Sequence, residues 1–383
     1  MMWSRGLVVL LAALIAAPPT AAEPSRDANV EPDPLRVNRP KVPFALEPLR
    51  WGTVSPRGWL LQWATALSHG SGSPKCSAFA TTKPNGHSVD GWRGGRPNFG
   101  GFWDEDSAYY IDGLTRLGLV LNDKDLLSRV KEDYEWVLAH PDNFNATYQG
   151  DIVEGWIRSI YSRGMLAYYD GTGDKRILAF LNEQLGKYDP RTSTIASDQT
   201  RQGSRSMTQM EALLETYAYG GDAKLVETAL QLMSPVAKND GYRFMQELLK
   251  PGCVALDPAA INATSSVADE GGCVNHAHGV TYNEVSKLFA MGYSYSGNRS
   301  HLQASLTAYE LLDKFDMQVY GVNSGDEDMN GIGPNAATET CDISDFIYSN
   351  SWMLRVTGRS KFGDHLERAF YNAAPGAVSR QTA

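Results

Sequence analysis

One kind of turn recurs along the sequence and joins one apolar segment to the next. The turn occurs in four stretches, LAYYDGTGDKRILAFL, ETYAYGGDAKLVETAL, MGYSYSGNRSHLQASL and LRVTGRSKFGDHLERAF. A fifth stretch, RLGLVLNDKDLLSRV, has a version of it without glycine near Asn122. Glycine or asparagine commonly ends a helix, and Asp, Ser or Asn commonly begins the next one. The turns lie near Asp174, Gly221, Gly297 and Gly358. The repeat therefore predicts a series of helical hairpins.

The spacing of these hairpins constrains the fold further. They recur at irregular intervals of roughly 50 to 75 residues, which does not fit a solenoid of fixed period. No long alternating strand pattern is present. We therefore predict an all-α fold, an α/α toroid of helical hairpins in which inner and outer helices alternate and the loops of one face form a cleft. An irregular all-α domain is the alternative.

The first residues have the composition of a secretory signal peptide. Arg5 precedes an apolar stretch at residues 7–17, which is too short to cross a membrane. We expect residues 1–22 to be a signal peptide and residues 23–50, rich in Pro, Asp and Arg, to be an extended leader. Residues 51–383 are expected to form the barrel, incomplete at its C-terminus. The protein is thus expected to be secreted.

Two sequence features agree with secretion. Sequons at Asn145, Asn262 and Asn298 are acceptors for glycosylation in a secreted protein. Cys253 and Cys273 can close a disulfide in an oxidising compartment. The other two cysteines, at positions 76 and 341, are not assigned by spacing.

Charge and composition bear on the partners. The net charge is −9 and the pI is about 5.3, and no run of Lys or Arg occurs. Nucleic-acid binders usually present a basic face, so this class is excluded. The chain holds 9 Trp, 18 Tyr and 12 Phe, which can line a sugar site as well as a core. The balance fits a soluble protein with a neutral or polar ligand.

The stretch GDEDMNGIGPNAATETC places three acids and a Glu-x-Cys at the two ends of one loop. Clustered acids such as Asp326, Glu327 and Asp328 are usually solvated, but their crowding raises a carboxyl pKa, which suits the general acid of a glycosidase. Glu339 and Cys341 can be a capping acid and a buried thiol, or two of the ligands of a zinc ion.

Two further stretches carry candidate ligand-binding side chains. In CVNHAHGVTYNEVSK, His276 and His278 lie at the start of a helix and form either a polar loop or part of a metal motif. GFWDEDSAYYIDG places Trp103, Asp104 and Glu105 at a helix N-terminus, where the helix dipole favours acids. A carboxylate beside a stacking Trp can also hold sugar hydroxyls.

In their order along the chain, these stretches resemble the β-L-arabinofuranosidase family of glycoside hydrolases, family 127. The resemblance covers about residues 50–377 and rests on FWDED, HGVTYNEVSKLFAMGYSYSGN, the GDED…TETC loop and LRVTGRSKFGDHLERAFYNA. It implies an (α/α)6 barrel followed by β-sandwich domains, which are absent from this chain. It also implies a carbohydrate substrate, an arabinofuranoside or a related sugar.

The resemblance implies a retaining mechanism with a zinc-bound cysteine nucleophile and a glutamate acid/base. Glu327 matches the acid/base, Glu339 and Cys341 match the first two zinc ligands, and His278 matches a histidine of the substrate pocket. The family draws its nucleophile and last zinc ligand from an adjacent cysteine pair further along, and no cysteine follows Cys341 here. The expected zinc site and double displacement are therefore incomplete in this sequence.

Three functions stay open. The first is a secreted glycoside hydrolase of the arabinofuranosidase type that is active only with more chain. The second is an inactive carbohydrate-binding pseudo-enzyme. The third is another α/α-toroid enzyme, an inverting hydrolase, lyase or epimerase, that pairs Glu327 with Asp104 or Glu105. All three predict a sugar-sized cleft.

Overall fold

The regular structure of the chain is helical. The computed structural model describes residues 34–70, 105–145, 153–191, 205–237, 241–249 and 278–377, and its only strand-like pairings in these ranges are isolated bridges. The helices are α1 (Gly58–His69), α2 (Glu105–Leu121), α3 (Lys124–Ala139), α4 (Pro141–Asn145), α5 (Val153–Thr172), α6 (Lys175–Leu185), α7 (Gln209–Ala218), α8 (Lys224–Gln231), α9 (Gly241–Leu248), α10 (Gly279–Ser296), α11 (Arg299–Phe315), α12 (Thr340–Thr357), α13 (Ser360–Arg368) and α14 (Ala374–Ala377). A 3-10 turn (Arg205–Thr208) precedes α7, and a π-helical turn (Ala369–Ala373) links α13 to α14. The all-α prediction is confirmed.

The predicted turns join consecutive helices through specific caps. Gly297 and Gly358 adopt φ values of 75° and 64°, and each donates its N–H to the carbonyl oxygen four residues earlier at 2.8 Å. Glycine tolerates this left-handed conformation without steric cost. Asp174 and Asn298 then begin the next helix by accepting a backbone N–H two residues on, at 3.1 and 3.0 Å. The hairpin prediction is confirmed at these positions.

Alternate helices form two layers around a common axis. Helices α2, α5, α7, α10 and α12 form the inner layer, and α3, α6, α8, α11 and α13 lie outside them. In α10 every residue is buried except Tyr293 and Ser296, whereas α13 buries only Phe362 and His365. A helix buried all round lies inside a larger fold, and one buried along a stripe lies at its surface. This layering is that of an (α/α) barrel.

A segment before the first helix crosses the C-terminal ends of the inner helices. The last carbonyl groups of a helix lack partners within it, and here residues 38–46 supply backbone N–H donors to three of those ends. The N–H of Asn38 donates to the carbonyl oxygen of Ala218 at 3.1 Å, that of Val42 to Ser294 at 2.8 Å and that of Leu46 to Arg355 at 3.0 Å. At a fourth helix end, the Trp51 N–H donates to Asp170 Oδ2 at 2.7 Å. We call residues 35–51 the floor strap. It lies opposite the mouth formed by the N-terminal ends of the inner helices.

Several predictions fall outside the described residues. The signal peptide, the first part of the leader, the sequon at Asn262 and the cysteines at 76, 253 and 273 all lie there. Residues 32–383 form one compact unit. Among the helices that the structure describes, none combines the length and the apolar character needed to span a bilayer.

Candidate active site

The acidic loop begins and ends at the same place. Gly325 N–H donates to the Ala337 carbonyl oxygen at 2.8 Å, and Glu339 N–H donates to the Gly325 carbonyl oxygen at 2.8 Å. These two bonds close residues 325–339 into a loop whose ends lie side by side. The acids at the start of the loop and the Glu-x-Cys at its end therefore share one face of the mouth.

Two buried side chains hold the base of this loop. Asp316 Oδ1 accepts the Gly331 N–H at 3.1 Å, and the Asp316 carbonyl oxygen accepts the Ser324 N–H at 2.8 Å. Gln318 Nε2 donates to the Gly331 carbonyl oxygen at 2.7 Å. Burial raises the pKa of Asp316 to about 6. Residues 324 and 331, on either side of Glu327, are thus fixed to one point of the barrel.

Asp342 fills the space beneath the loop. Its Oδ1 accepts hydrogen bonds from Nδ2 of Asn283 at 3.3 Å and of Asn323 at 3.2 Å. A Cβ atom at Gly325 would lie 1.9 Å from Asp342 Oδ2, and one at Gly279 would lie 2.5 Å from the same atom. Burial raises the pKa of Asp342 to about 8. Only glycine fits at the two positions that contact this carboxyl group.

Glu327 adopts a backbone conformation that is uncommon for a residue with a side chain. Its φ is 64°, in the left-handed region. Its carbonyl oxygen accepts the N–H of Gly279, the first residue of α10, at 3.0 Å. The side chain is 71% exposed, and its Oε2 lies 3.2 Å from Nε2 of His278. The turn therefore presents a solvent-accessible carboxylate at the mouth, directed by one histidine.

His278 has a defined tautomer. As N-cap of α10, its Nδ1 accepts the Thr281 N–H at 3.1 Å, so the ring proton resides on Nε2 and faces Glu327. Burial, with the nearby charge of Arg205, lowers the pKa of His278 below its ordinary value despite the opposing acids Glu327, Glu284 and Glu339. The imidazole is therefore neutral near pH 7, and its Nε2 lies 3.2 Å from Oε2 of Glu327.

Cys341 and Glu339 are in contact. The Cys341 thiol donates to Glu339 Oε2, with Sγ and Oε2 3.2 Å apart. Although the residue is exposed, partial desolvation of its sulfur, together with the hydrogen bond to Glu339 and the charges of Glu339 and Asp342, raises the pKa of the thiol to about 12. Without a metal, Cys341 is thus a protonated thiol and a poor nucleophile.

The Glu339–Cys341 pair brings together two donor atoms of the kinds that bind zinc. Sulfur and carboxylate oxygen are zinc donors, and two atoms at this separation can bind one ion. Zinc sites in proteins usually have at least three protein ligands. No group of three or more His, Cys, Asp or Glu side chains suited to a metal occurs among the described residues. The described residues therefore provide two donors and do not complete the coordination.

A buried charged network lies behind the mouth. Glu284 of α10 accepts hydrogen bonds from Arg205 Nε at 2.7 Å, from Trp156 Nε1 at 2.8 Å and from the Tyr109 hydroxyl at 3.0 Å. The Arg205 guanidinium carbon lies 3.4 Å from the centre of the Trp156 ring. Burial alone would raise the pKa of Glu284, but Arg205 and Lys287 outweigh it and hold this pKa below its ordinary value. The network therefore keeps an ionised carboxylate inside the barrel.

The sequence predictions did not include this network. The run YNEVSK, with Glu284 and Lys287, was a possible signal, because a helix with both charged and apolar residues on its buried faces needs internal partners. Of the predicted sugar-binding residues, Trp103 and Asp104 lie outside the described residues, as does His276. Glu105 is the first residue of α2, and its side chain is not described.

A cavity lies at the other end of the barrel. It encloses about 310 Å³ between the floor strap and the C-terminal ends of the inner helices, and its lining includes Trp51, Glu215 and Arg355. Its ionic groups are paired with each other, since Glu215 contacts Arg36 at 2.5 Å and Arg355 at 3.5 Å. None of the motif side chains lines it. We therefore assign the candidate active site to the mouth and not to this cavity.

Solved structures share this fold. A GH127 β-L-arabinofuranosidase from Geobacillus stearothermophilus superposes with a TM-score of 0.60 at 16% identity, over 84% of this chain and 55% of its own. A structure described only as a glycoside hydrolase superposes with a TM-score of 0.54 at 13% identity, over 85% of this chain and 51% of its own. A GH127 β-arabinofuranosidase superposes with a TM-score of 0.54 at 16% identity, over 87% of this chain and 55% of its own. The chain spans about half the length of these structures. Fold and mouth together define the class as an (α/α) barrel with a candidate active site at its mouth.

The family follows from the sequence. Residues 83–383 match the family described as beta-L-arabinofuranosidase, GH127 catalytic domain, so the chain belongs to this family. The resemblance predicted from the motifs is confirmed. A comparison with curated protein sequences found no match.

Proposed function

We propose that this chain is the catalytic barrel of a glycoside hydrolase that removes non-reducing-end β-L-arabinofuranosyl groups or closely related sugars. One observation carries the proposal: Glu327, directed by His278 at 3.2 Å, lies on a closed loop whose other end holds Glu339 and Cys341. An exposed carboxylate held by a neutral histidine suits proton transfer at a glycosidic oxygen. The family supports the sugar class.

Glu327 serves as the acid/base in this proposal. The protonated carboxyl gives its proton to the leaving oxygen as the glycosidic bond breaks and the anomeric carbon passes to a nucleophile from outside the described residues. The resulting carboxylate then takes a proton from the water that attacks this carbon and releases the nucleophile. His278 Nε2–H donates to the carboxylate form, which stabilises it after the first transfer. The exposure of the side chain allows a glycoside to approach it from the mouth.

We also propose that Glu339 and Cys341 bind zinc together with donors outside the described residues. Bound zinc would hold thiols deprotonated in a retaining reaction. Because the described residues do not complete the site, only the proton transfer by Glu327 is derived for this chain. Secretion and glycosylation, drawn from the N-terminal sequence and the sequons, belong to the same proposal.

The second candidate is carbohydrate binding without turnover. This candidate needs only the mouth, where Nε2 of His278 lies 3.2 Å from Oε2 of Glu327, and no completed metal site. A chain of this kind keeps the mouth and binds a sugar but forms no product.

The experiment that separates the two candidates is hydrolysis of p-nitrophenyl β-L-arabinofuranoside by the purified chain, with the α-anomer as the control substrate. Zinc content is measured on the same sample by elemental mass spectrometry. Release of p-nitrophenol from the β-anomer alone supports the hydrolase. Binding of L-arabinose without release from either anomer supports the second candidate, and neither binding nor release contradicts both.

A further inference from the structure

Asp345 lies one helical turn beyond Cys341 on α12, so the two side chains share a face of that helix. The residue is 3% exposed. The charged groups that act on its carboxyl group come from three other inner elements, namely Glu284 and Lys287 of α10, Arg163 of α5 and Arg205 of the 3-10 turn. A carboxyl group that these elements surround points toward the barrel axis, inward from Cys341.

The cations around Asp345 already pair with other acids. Arg205 contacts Glu284 at 2.7 Å, Arg163 contacts Asp112 at 3.0 Å, and Lys287 contacts Glu211 at 3.5 Å. Within the described part of the chain, the Asp345 carboxyl group forms no hydrogen bond. Buried polar groups in native proteins nearly always have a hydrogen-bond partner. A carboxyl group that lacks a protein donor is therefore available to a donor on a ligand.

The surroundings of Asp345 suit a hydroxyl-rich, uncharged ligand. The Arg205–Glu284 pair acts electrostatically on both His278 and Asp345, so the mouth and Asp345 share one charged neighbourhood. Tyr109, which donates to Glu284, is partly exposed and adds aromatic surface, and its ring centre lies 6.3 Å from that of the buried Trp156. Aromatic surface with a hydrogen-bond acceptor matches the CH faces and hydroxyl groups of a sugar ring.

We propose that Asp345 is a substrate-contacting residue that accepts a hydrogen bond from a ring hydroxyl group of the sugar entering the mouth past Cys341. This inference rests on the proposed function, because it names a further residue of the same site. It assigns Asp345 to sugar binding and leaves proton transfer to Glu327. Within the described residues, the Asp345 side chain forms no hydrogen bond whose loss would explain a binding defect.

Isothermal titration calorimetry with L-arabinose tests the proposal on the full chain. The variants are Asp345→Asn, which keeps the size of the side chain, and Asp345→Ala, which removes the acceptor. The matched control is Asp313→Asn on the outer helix α11, where the acid pairs with Lys361 of the outer helix α13 at 2.5 Å. Circular dichroism melting of each variant reports on folding separately from binding.

The expected result is a dissociation constant for L-arabinose raised about tenfold in Asp345→Asn and further in Asp345→Ala, with Asp313→Asn unchanged. Where turnover is measurable, KM rises more than kcat falls. Wild-type affinity in a folded Asp345→Asn variant overturns the inference and leaves the proposed function standing. A wild-type chain that neither binds L-arabinose nor releases p-nitrophenol from the β-anomer contradicts the proposed function, and the inference falls with it.

Discussion

Nε2 of His278 lies 3.2 Å from Oε2 of Glu327, while Nδ1 of the same ring caps helix α10. One histidine thus performs a structural task with one nitrogen and directs the candidate acid with the other. The two tasks can be separated by substitution, because a shorter polar side chain can cap the helix without reaching Glu327.

Replacing His278 by Asn should separate these tasks. Asn is a good N-cap, so the free energy of unfolding of His278→Asn should stay within about 0.5 kcal/mol of wild type, whereas His278→Ala should lose about 1 kcal/mol. Both variants should slow hydrolysis by about tenfold or more, since both lose the Nε2 contact. Denaturant unfolding and initial rates check this. Equal stability of the two variants would contradict the capping role.

Adding a methyl group at Gly325 should destabilise the loop. A Cβ there would lie 1.9 Å from Asp342 Oδ2, whereas a Cβ at Gly333 of the same loop meets nothing within 4 Å. Gly325→Ala should lower the free energy of unfolding by about 1 to 3 kcal/mol, and Gly333→Ala should change it little. Combining Gly325→Ala with Asp342→Ala should recover part of the loss. Similar melting temperatures for the two single variants would show that the loop does not pack on Asp342.

Asp316 should make stability depend on pH. Burial raises its pKa from 3.8 to about 6, so the folded state holds a proton that the unfolded state releases. Its contribution to stability is then fully present below about pH 4 and is lost as pH rises toward 6. The free energy of unfolding of Asp316→Asn, relative to that of wild type, should therefore rise by roughly 1 to 3 kcal/mol between pH 4 and pH 7. Urea unfolding at both pH values measures this, and a constant difference would refute it.

Cys341 should react slowly with iodoacetamide in metal-free protein. Its thiol, with a pKa raised to about 12 by desolvation and by Glu339, is almost entirely protonated at pH 8. Glu339→Gln removes the negative charge and should speed alkylation of Cys341 several-fold. Peptide mass spectrometry after timed alkylation follows this one site. Rapid alkylation of the wild-type thiol, or no change in Glu339→Gln, would contradict this account of the pair.

The sequence predicted the local features of the fold well. Turn chemistry depends on neighbouring residues, so the caps at Asp174, Gly297, Asn298 and Gly358 could be predicted from their own stretches. The position of His278 at a helix start could be predicted in the same way. The family and the (α/α) barrel followed from the order of the motifs.

The interior of the site could not be predicted, because it depends on which faces of distant helices meet. Glu284 gains its partners from residues that lie 79 and 128 positions away along the chain. Asp316 reaches Gly331 only because the loop folds back. Asp345 was not among the predicted residues, because its isolation from protein donors emerges only when the neighbouring inner helices are in place.

The most direct test of the central claim compares Glu327→Gln with Glu310→Gln, an exposed control on outer helix α11. Each is assayed on β-L-arabinofuranosides with a good leaving group, 2,4-dinitrophenol, and a poor one, methanol. If Glu327 donates the proton, Glu327→Gln should hydrolyse the methyl glycoside about 10²-fold or more slowly than wild type, and its rate on the dinitrophenyl glycoside should fall much less. Glu310→Gln should match wild type on both. Equal losses of Glu327→Gln on the two substrates, or none, would contradict the assignment of Glu327 as the acid.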